Sequence, residues 1–175
     1  MNIIYRATDK FMANVRHDLV RAHQFAEERV GFISVKAAQG DDGLILLAQD
    51  YYPVADQDYA YDTTVGAMMN QEALRKALNI ALLNEVGMLH VHMHLFPGRL
   101  WFSRTDLSEQ LKFVPDFFKV RRTMPHGALV LSPFTAAGRI WTSPDQIELI
   151  SEFNTVGPQT KISRSGKDGS VDFYA

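Results

Sequence analysis

The chain contains no cysteine. That absence excludes thiol nucleophiles, cysteine-ligated zinc and iron–sulfur clusters, and it fits a reducing compartment. Disulfide staples are not needed either. A chain of 175 residues buries roughly 70% of its unfolded surface as one domain. Neither charge sign is in excess: 18 Lys+Arg stand against 20 Asp+Glu, for a formal net charge of −2. No basic block marks a phosphate-tracking surface, so nucleic acid is not an expected partner. Apolar runs fall far short of a membrane span, and Arg6, Asp9 and Lys10 break any apolar leader. A soluble, cytoplasmic protein without a membrane partner is expected. The sequence shows no internal repeat and no low-complexity tract.

Three of the six histidines stand at alternate positions: His90, His92 and His94. They follow an apolar stretch and precede a Pro97-Gly98 turn signal. In a strand, alternate side chains share a face, so the three imidazoles line one side and the returning loop brings Asp106 toward them. Two imidazoles and a carboxylate suit a borderline-soft cation with one position left open. Ser103-x-x-Asp106 also reads as a capping box, which places Asp106 in the first turn of a helix.

Around this stretch the spacing predicts a first strand over 2–7. A helix follows, capped by Thr8 or Asp9, with Phe11, Val15, Leu19, Ala22 and Ala26 at helical spacing and an end near Glu27–Arg29. His17 and His23 lie on it as surface or boundary histidines. A hairpin is predicted from 30–35 and 44–52 around Gly40-Asp41-Asp42-Gly43. A helix over 70–85 is stopped by Gly87, a strand runs over 88–95, and a helix spans roughly 105–120. Two strands, 126–132 and 138–142, complete the series. Residues 53–62 read as loop or irregular edge strand, and 144–153 fit helix or strand. Residues 1–156 form the domain, and 157–175 a polar tail or edge-hugging segment. The order β-α-β-β-α-β-α-β-β indicates an α/β class, a mixed sheet flanked by helices.

His92-x-His94 followed by Ser103-x-x-Asp106 resembles the signature of the JAB/JAMM metalloproteases, the catalytically active MPN (MPN-plus) domains. Glu28-Arg-Val-Gly31 matches the family's Glu-x-x-Gly at a strand start. Gly127-Ala-Leu-Val-Leu-Ser132 and Gly138-Arg-Ile-Trp141 look like the two strands after the motif, so the resemblance covers roughly Phe11 to Trp141. Two departures stand out. Leu95 replaces the family's Pro after the second His, and eleven residues separate His94 from Asp106, one more than usual. Gly87-Met-Leu-His90 fits a register with His90 and His92 as ligands. Loop length fits His92 and His94, the expected pair.

The resemblance implies the MPN/JAMM, cytidine-deaminase-like fold, a curved mixed sheet. It implies Zn²⁺ on His92, His94 and Asp106, with Glu28 as general base and Ser103 as oxyanion donor. Glu27 is the confounder of Glu28, since strand neighbours face opposite ways. The implied activity is hydrolysis of the amide bond after the C-terminal Gly of a ubiquitin-like protein, as in bacterial members that accompany E1/E2-like conjugation enzymes, some in antiphage operons. Related branches process sulfur-carrier proteins, and others are non-catalytic MPN scaffolds. Tyr51, Tyr52, Tyr59 and Tyr61 are candidates either for a substrate groove or for packing on the core.

Overall fold

Stretches rich in β-branched and aromatic residues become strands, and those with a 3.6-residue apolar period become helices. The computed structural model describes residues 1–22, 26–61, 66–95 and 99–170. Among them run β1 (Ile3–Thr8), α1 (Asp9–Leu19), β2 (Val30–Gly40), β3 (Gly43–Pro53), α2 (Gln71–Asn84), β4 (Gly87–Met93) and α3 (Arg104–Val120). Then come β5 (His126–Leu131), β6 (Ala136–Ser143), β7 (Gln146–Leu149), β8 (Glu152–Val156) and β9 (Lys161–Arg164). The strands form one mixed sheet in the order β7-β6-β5-β4-β2-β3-β1-β8-β9. β1 runs parallel to β3 and β8, and β4 parallel to β5, while the other pairs are antiparallel. The class is therefore the mixed α/β sheet with helices that the periodicity predicts.

The two faces of the sheet carry different cores. Leu89, Val91 and Met93 of β4 join Met12, Val15 and Leu19 of α1 on one face. Met88 lies on the other, with Phe32, Ala73, Ala77 and Ala81 of α2, and Phe117 of α3. Period-2 alternation thus assigns the histidines of β4 to the α2/α3 face.

Several boundaries move. The spacing carried α1 to Glu27–Arg29, but the helix ends at Leu19. The buried Arg29 guanidinium draws the Arg21 and Ala22 carbonyls to itself and pairs with Asp56 at 2.8 Å, which pulls the chain off the helix axis. Glu27 and Glu28 consequently sit in a bend before β2 rather than in a strand. α2 is closed by Glu85 in the left-handed conformation (φ 53°), not by Gly87. Gly87 opens β4, where any Cβ would collide with the Pro125 carbonyl. The ambiguous 144–153 stretch resolves into β7 and the start of β8. Within the polar segment after Val156, β9 pairs antiparallel with β8 at the sheet edge. His23, Asp62, the Pro97-Gly98 turn and the last five residues lie outside the described residues.

Candidate metal centre

β4 is an interior strand, and its C-terminal end carries the histidines to the rim of the sheet. β2 pairs with it antiparallel, with Val30 opposite His92 and Phe32 opposite His90. Continued two residues back from Val30, that register brings Glu28 toward His94. The Glu28 N–H donates to the Gly66 carbonyl at 2.7 Å. His94 N–H donates to the Leu131 carbonyl at 2.9 Å, which ties the end of β4 to β5.

Asp106 arrives from α3. Ser103 is the N-cap: its Oγ accepts from the Asp106 N–H at 3.1 Å, and Asp106 Oδ2 accepts from the Ser103 N–H at 2.7 Å. The capping box is complete, so the carboxylate is held in the first helical turn. The same Oδ2 lies 3.5 Å from His92 Nε2 and 3.8 Å from His94 Nε2, and the two Nε2 atoms are 3.2 Å apart. Tetrahedral ligands at about 2.0–2.1 Å from a zinc-sized ion are themselves about 3.3–3.4 Å apart. The donor triangle therefore fits one such ion. Glu28, His92 and His94 also form a group whose ligand atoms lie within 4.8 Å of one another, one that could hold a metal ion.

The electrostatics follow from partial burial of opposed charges. Burial raises the Asp106 pKa, but the hydrogen bond and charge of His92 and two bonds with Ser103 outweigh it. The carboxyl is held well below its usual range. Glu28 moves the other way: burial raises it, Asp106 and Glu27 add to the rise, and His92 only partly opposes them. Burial and His92 lower the His94 pKa, against Asp106 and a hydrogen bond to the Trp101 backbone. Once the facing nitrogens give up their protons, the two imidazoles and the ionised carboxylate would offer three donor atoms to a cation.

All five residues singled out in the sequence meet in this region: Glu28, His92, His94, Ser103 and Asp106. His90 shares their face but packs edge-on against Phe32 and Phe113, and burial pushes its pKa down to about 3. It is not in the group that could hold a metal. The tyrosines divide. Tyr51 donates to Asp18 at 2.7 Å, Tyr59 is buried with its hydroxyl on the Val30 backbone, Tyr52 touches Asn84, and Tyr61 is exposed. Tyr59 is therefore a packing residue, whereas half-buried Tyr51 and Tyr52 line a cavity with Phe32 and Val54. Glu27 is exposed and Glu28 half-buried, which separates the neighbours without a strand.

Three contributors have no motif to announce them. Arg29 fixes the bend that presents Glu28. Gly66 lies against the Glu28 carboxylate, where a Cβ would stand 3.0 Å from Oε2. Trp101 supplies the backbone acceptor for His94. The outer ring nitrogens differ: among the described residues, His92 Nδ1 is buried without a partner, so that outer hydrogen bond is present on His94 and missing on His92. No family model matches the chain, and no curated protein matches it.

Proposed function

We propose that the chain is a zinc-dependent peptidase or isopeptidase of the JAB/JAMM kind, with the MPN/JAMM fold. It hydrolyses the amide bond after the C-terminal Gly of a ubiquitin-like protein. The observation that carries this reading is convergence: Glu28, from before β2, lies near His92, His94 and Asp106, more than sixty positions later in the chain. His92, His94 and Asp106 would hold the zinc. When bound, that ion supplies Lewis acidity, which makes a water nucleophilic near neutral pH and polarises a carbonyl. Glu28, its pKa raised by burial, takes the proton from the attacking water and delivers it to the leaving amine. Ser103 Oγ accepts from the Asp106 N–H and shares its hydrogen with the Asp106 carboxylate; in this reading the exposed hydroxyl turns that hydrogen toward the developing oxyanion. No covalent intermediate is required.

The partners of this reading are a ubiquitin-like protein with its conjugates and the E1/E2-like enzymes of a bacterial conjugation pathway, antiphage or otherwise. Processing of a sulfur-carrier protein uses the same chemistry. The setting proposed is the cytoplasm. Among the described residues no helix is long and apolar enough to cross a membrane.

A second reading rests on the grouping of Glu28 with both histidines. There Glu28 is a fourth ligand, and the closed site only shapes a partner-binding MPN scaffold. One variant separates the two. Glu28→Gln in the zinc-loaded full chain is expected to keep stoichiometric zinc and to cleave a fluorogenic Gly-Gly–lysine isopeptide about 10²–10⁴-fold more slowly. Wild-type turnover in this variant, or purified wild type without zinc by elemental analysis, refutes the hydrolase. Zinc lost with Glu28 favours the scaffold.

A further inference from the structure

The polar C-terminal segment makes a compact turn against the loop that precedes α3. Gly169 N–H donates to the Gly166 carbonyl at 2.8 Å, Gly166 N–H to the Ser170 carbonyl at 2.9 Å, and Ser170 Oγ to Asp168 Oδ1 at 2.8 Å. Ser165 N–H donates to the Ser151 carbonyl at 3.1 Å, which anchors the turn to the end of β7–β8. Gly169 and Ser170 are buried although the segment is polar.

What the turn covers is the loop that leads into α3. Asp168 pairs with Arg99 at 2.8 Å. Both side chains are more than half exposed, so the pair itself contributes little. The closer contact is Gly169. It sits at φ +78°, and a Cβ there would stand 2.8 Å from two atoms of the Trp101 ring and 2.9 Å from Leu149 Cδ1. Glycine is required twice over, by the backbone conformation and by the ring. Trp101 in turn packs edge-on against Phe102, which lies against the His92 ring. The Trp101 backbone accepts the hydrogen bond of His94.

We infer that the Ser165–Ser170 turn is a working part of the metal centre, with Gly169 as a positioning residue. It seats the Trp101 ring, and the Trp101 carbonyl then orients His94. The inference rests on the reading of His92, His94 and Asp106 as metal ligands. Losing an outer hydrogen bond to a ligating histidine costs roughly 10–100-fold in metal affinity.

The test uses the full chain, stripped of metal and titrated with Co²⁺ by visible absorption. Gly169→Ala is expected to weaken Co²⁺ about tenfold or more and to displace the His94 imidazole N–H signal in the proton NMR spectrum. Ile162→Ala, on exposed β9, keeps wild-type affinity. Backbone strain at residue 169 does not depend on the ring, whereas the contact does. In the Trp101→Phe background, which removes the ring atoms the new Cβ meets, Gly169→Ala should therefore cost much less. Wild-type Co²⁺ affinity in Gly169→Ala overturns the inference, and so does an equal cost in both backgrounds. Failure of the metal reading is read separately: there His92→Ala binds Co²⁺ as well as wild type.

Discussion

Asp106 caps α3 and, in the proposed site, ligates the metal, and Asp106→Asn separates the two. As a cap, the amide oxygen of Asn can still accept from the Ser103 N–H. The loss is limited to a charge near the α3 N-terminus, about 0.3–1 kcal/mol. As a ligand, the same oxygen of the donor triangle at 3.2, 3.5 and 3.8 Å becomes neutral, and an amide oxygen binds zinc far more weakly than a carboxylate. An outer-sphere loss already costs up to about 100-fold, so a ligand loss should cost at least that. With free zinc at 100 times the wild-type Kd, linkage adds about 2.7 kcal/mol to wild-type stability, and about 0.4 kcal/mol or less to a variant that binds 100-fold more weakly. Ser103→Ala behaves oppositely. It removes the cap, about 1 kcal/mol with or without zinc, and keeps the zinc increment. Urea unfolding of the two variants and wild type, with and without zinc, measures all of these terms. If Asp106→Asn retains the full zinc increment, Asp106 is not a ligand and the donor triangle is misassigned.

Two further outcomes follow from contacts near the site and in the core. Gly66→Ala introduces a methyl 3.0 Å from Glu28 Oε2, at a backbone conformation that alanine accepts. Turnover of the isopeptide should fall about tenfold through misplacement of the base while Co²⁺ affinity holds; unchanged turnover would count against that contact. His126 is fully buried, with Nδ1 accepting from the Met88 N–H at 3.1 Å and Nε2 donating to the Arg121 carbonyl at 2.9 Å. Burial lowers its pKa from 6.5 to about 4. Above pH 6.5 folded and unfolded chains both hold it neutral. Between 6.5 and about 4 the unfolded chain binds a proton that the folded one refuses, so stability falls with pH by at most about 3 kcal/mol. Nitrogen NMR should show the neutral Nε2–H tautomer persisting in the folded protein at pH 5, and titration near the ordinary histidine value would refute the assignment.

What the sequence made legible was local. Alternation put His90, His92 and His94 on one face, and Ser103-x-x-Asp106 announced a cap at the start of α3; both depend on residues a few positions apart. The β2–β3 hairpin and α2 were readable for the same reason. The order of the nine strands was not readable, because pairing such as β1 with β3 and β8 is decided by packing between distant segments. α1 was overextended because its apolar spacing continues to Ala26, while the side chain that stops it, Arg29, acts from beyond the bend. The choice between His90 and His94 could not be made from spacing alone. The structure shows the two rings in different surroundings: His90 is enclosed by Phe32 and Phe113, whereas His94 is half-buried in the group that could hold a metal. Gly66, Trp101 and Gly169 carry no motif, since their roles are empty space, a main-chain carbonyl and a left-handed turn.

The antiparallel register of β2 on β4 also governs how this chain can change in length. Gly31 lies against the Tyr51 ring and Gly87 against the Pro125 carbonyl, with no room for a side chain at either. The two strands are thereby pinned at opposite ends. One residue added within β4 would exchange its faces, presenting Leu89, Val91 and Met93 where the histidines stand. One residue added at the Asp41–Asp42 turn, at the far end of β2 from Glu28, would leave every donor in place. Lineages of such a protein should therefore vary in length at that hairpin and keep the interval from Gly87 to His94 constant. The strand serves as the ruler of the site as well as its wall.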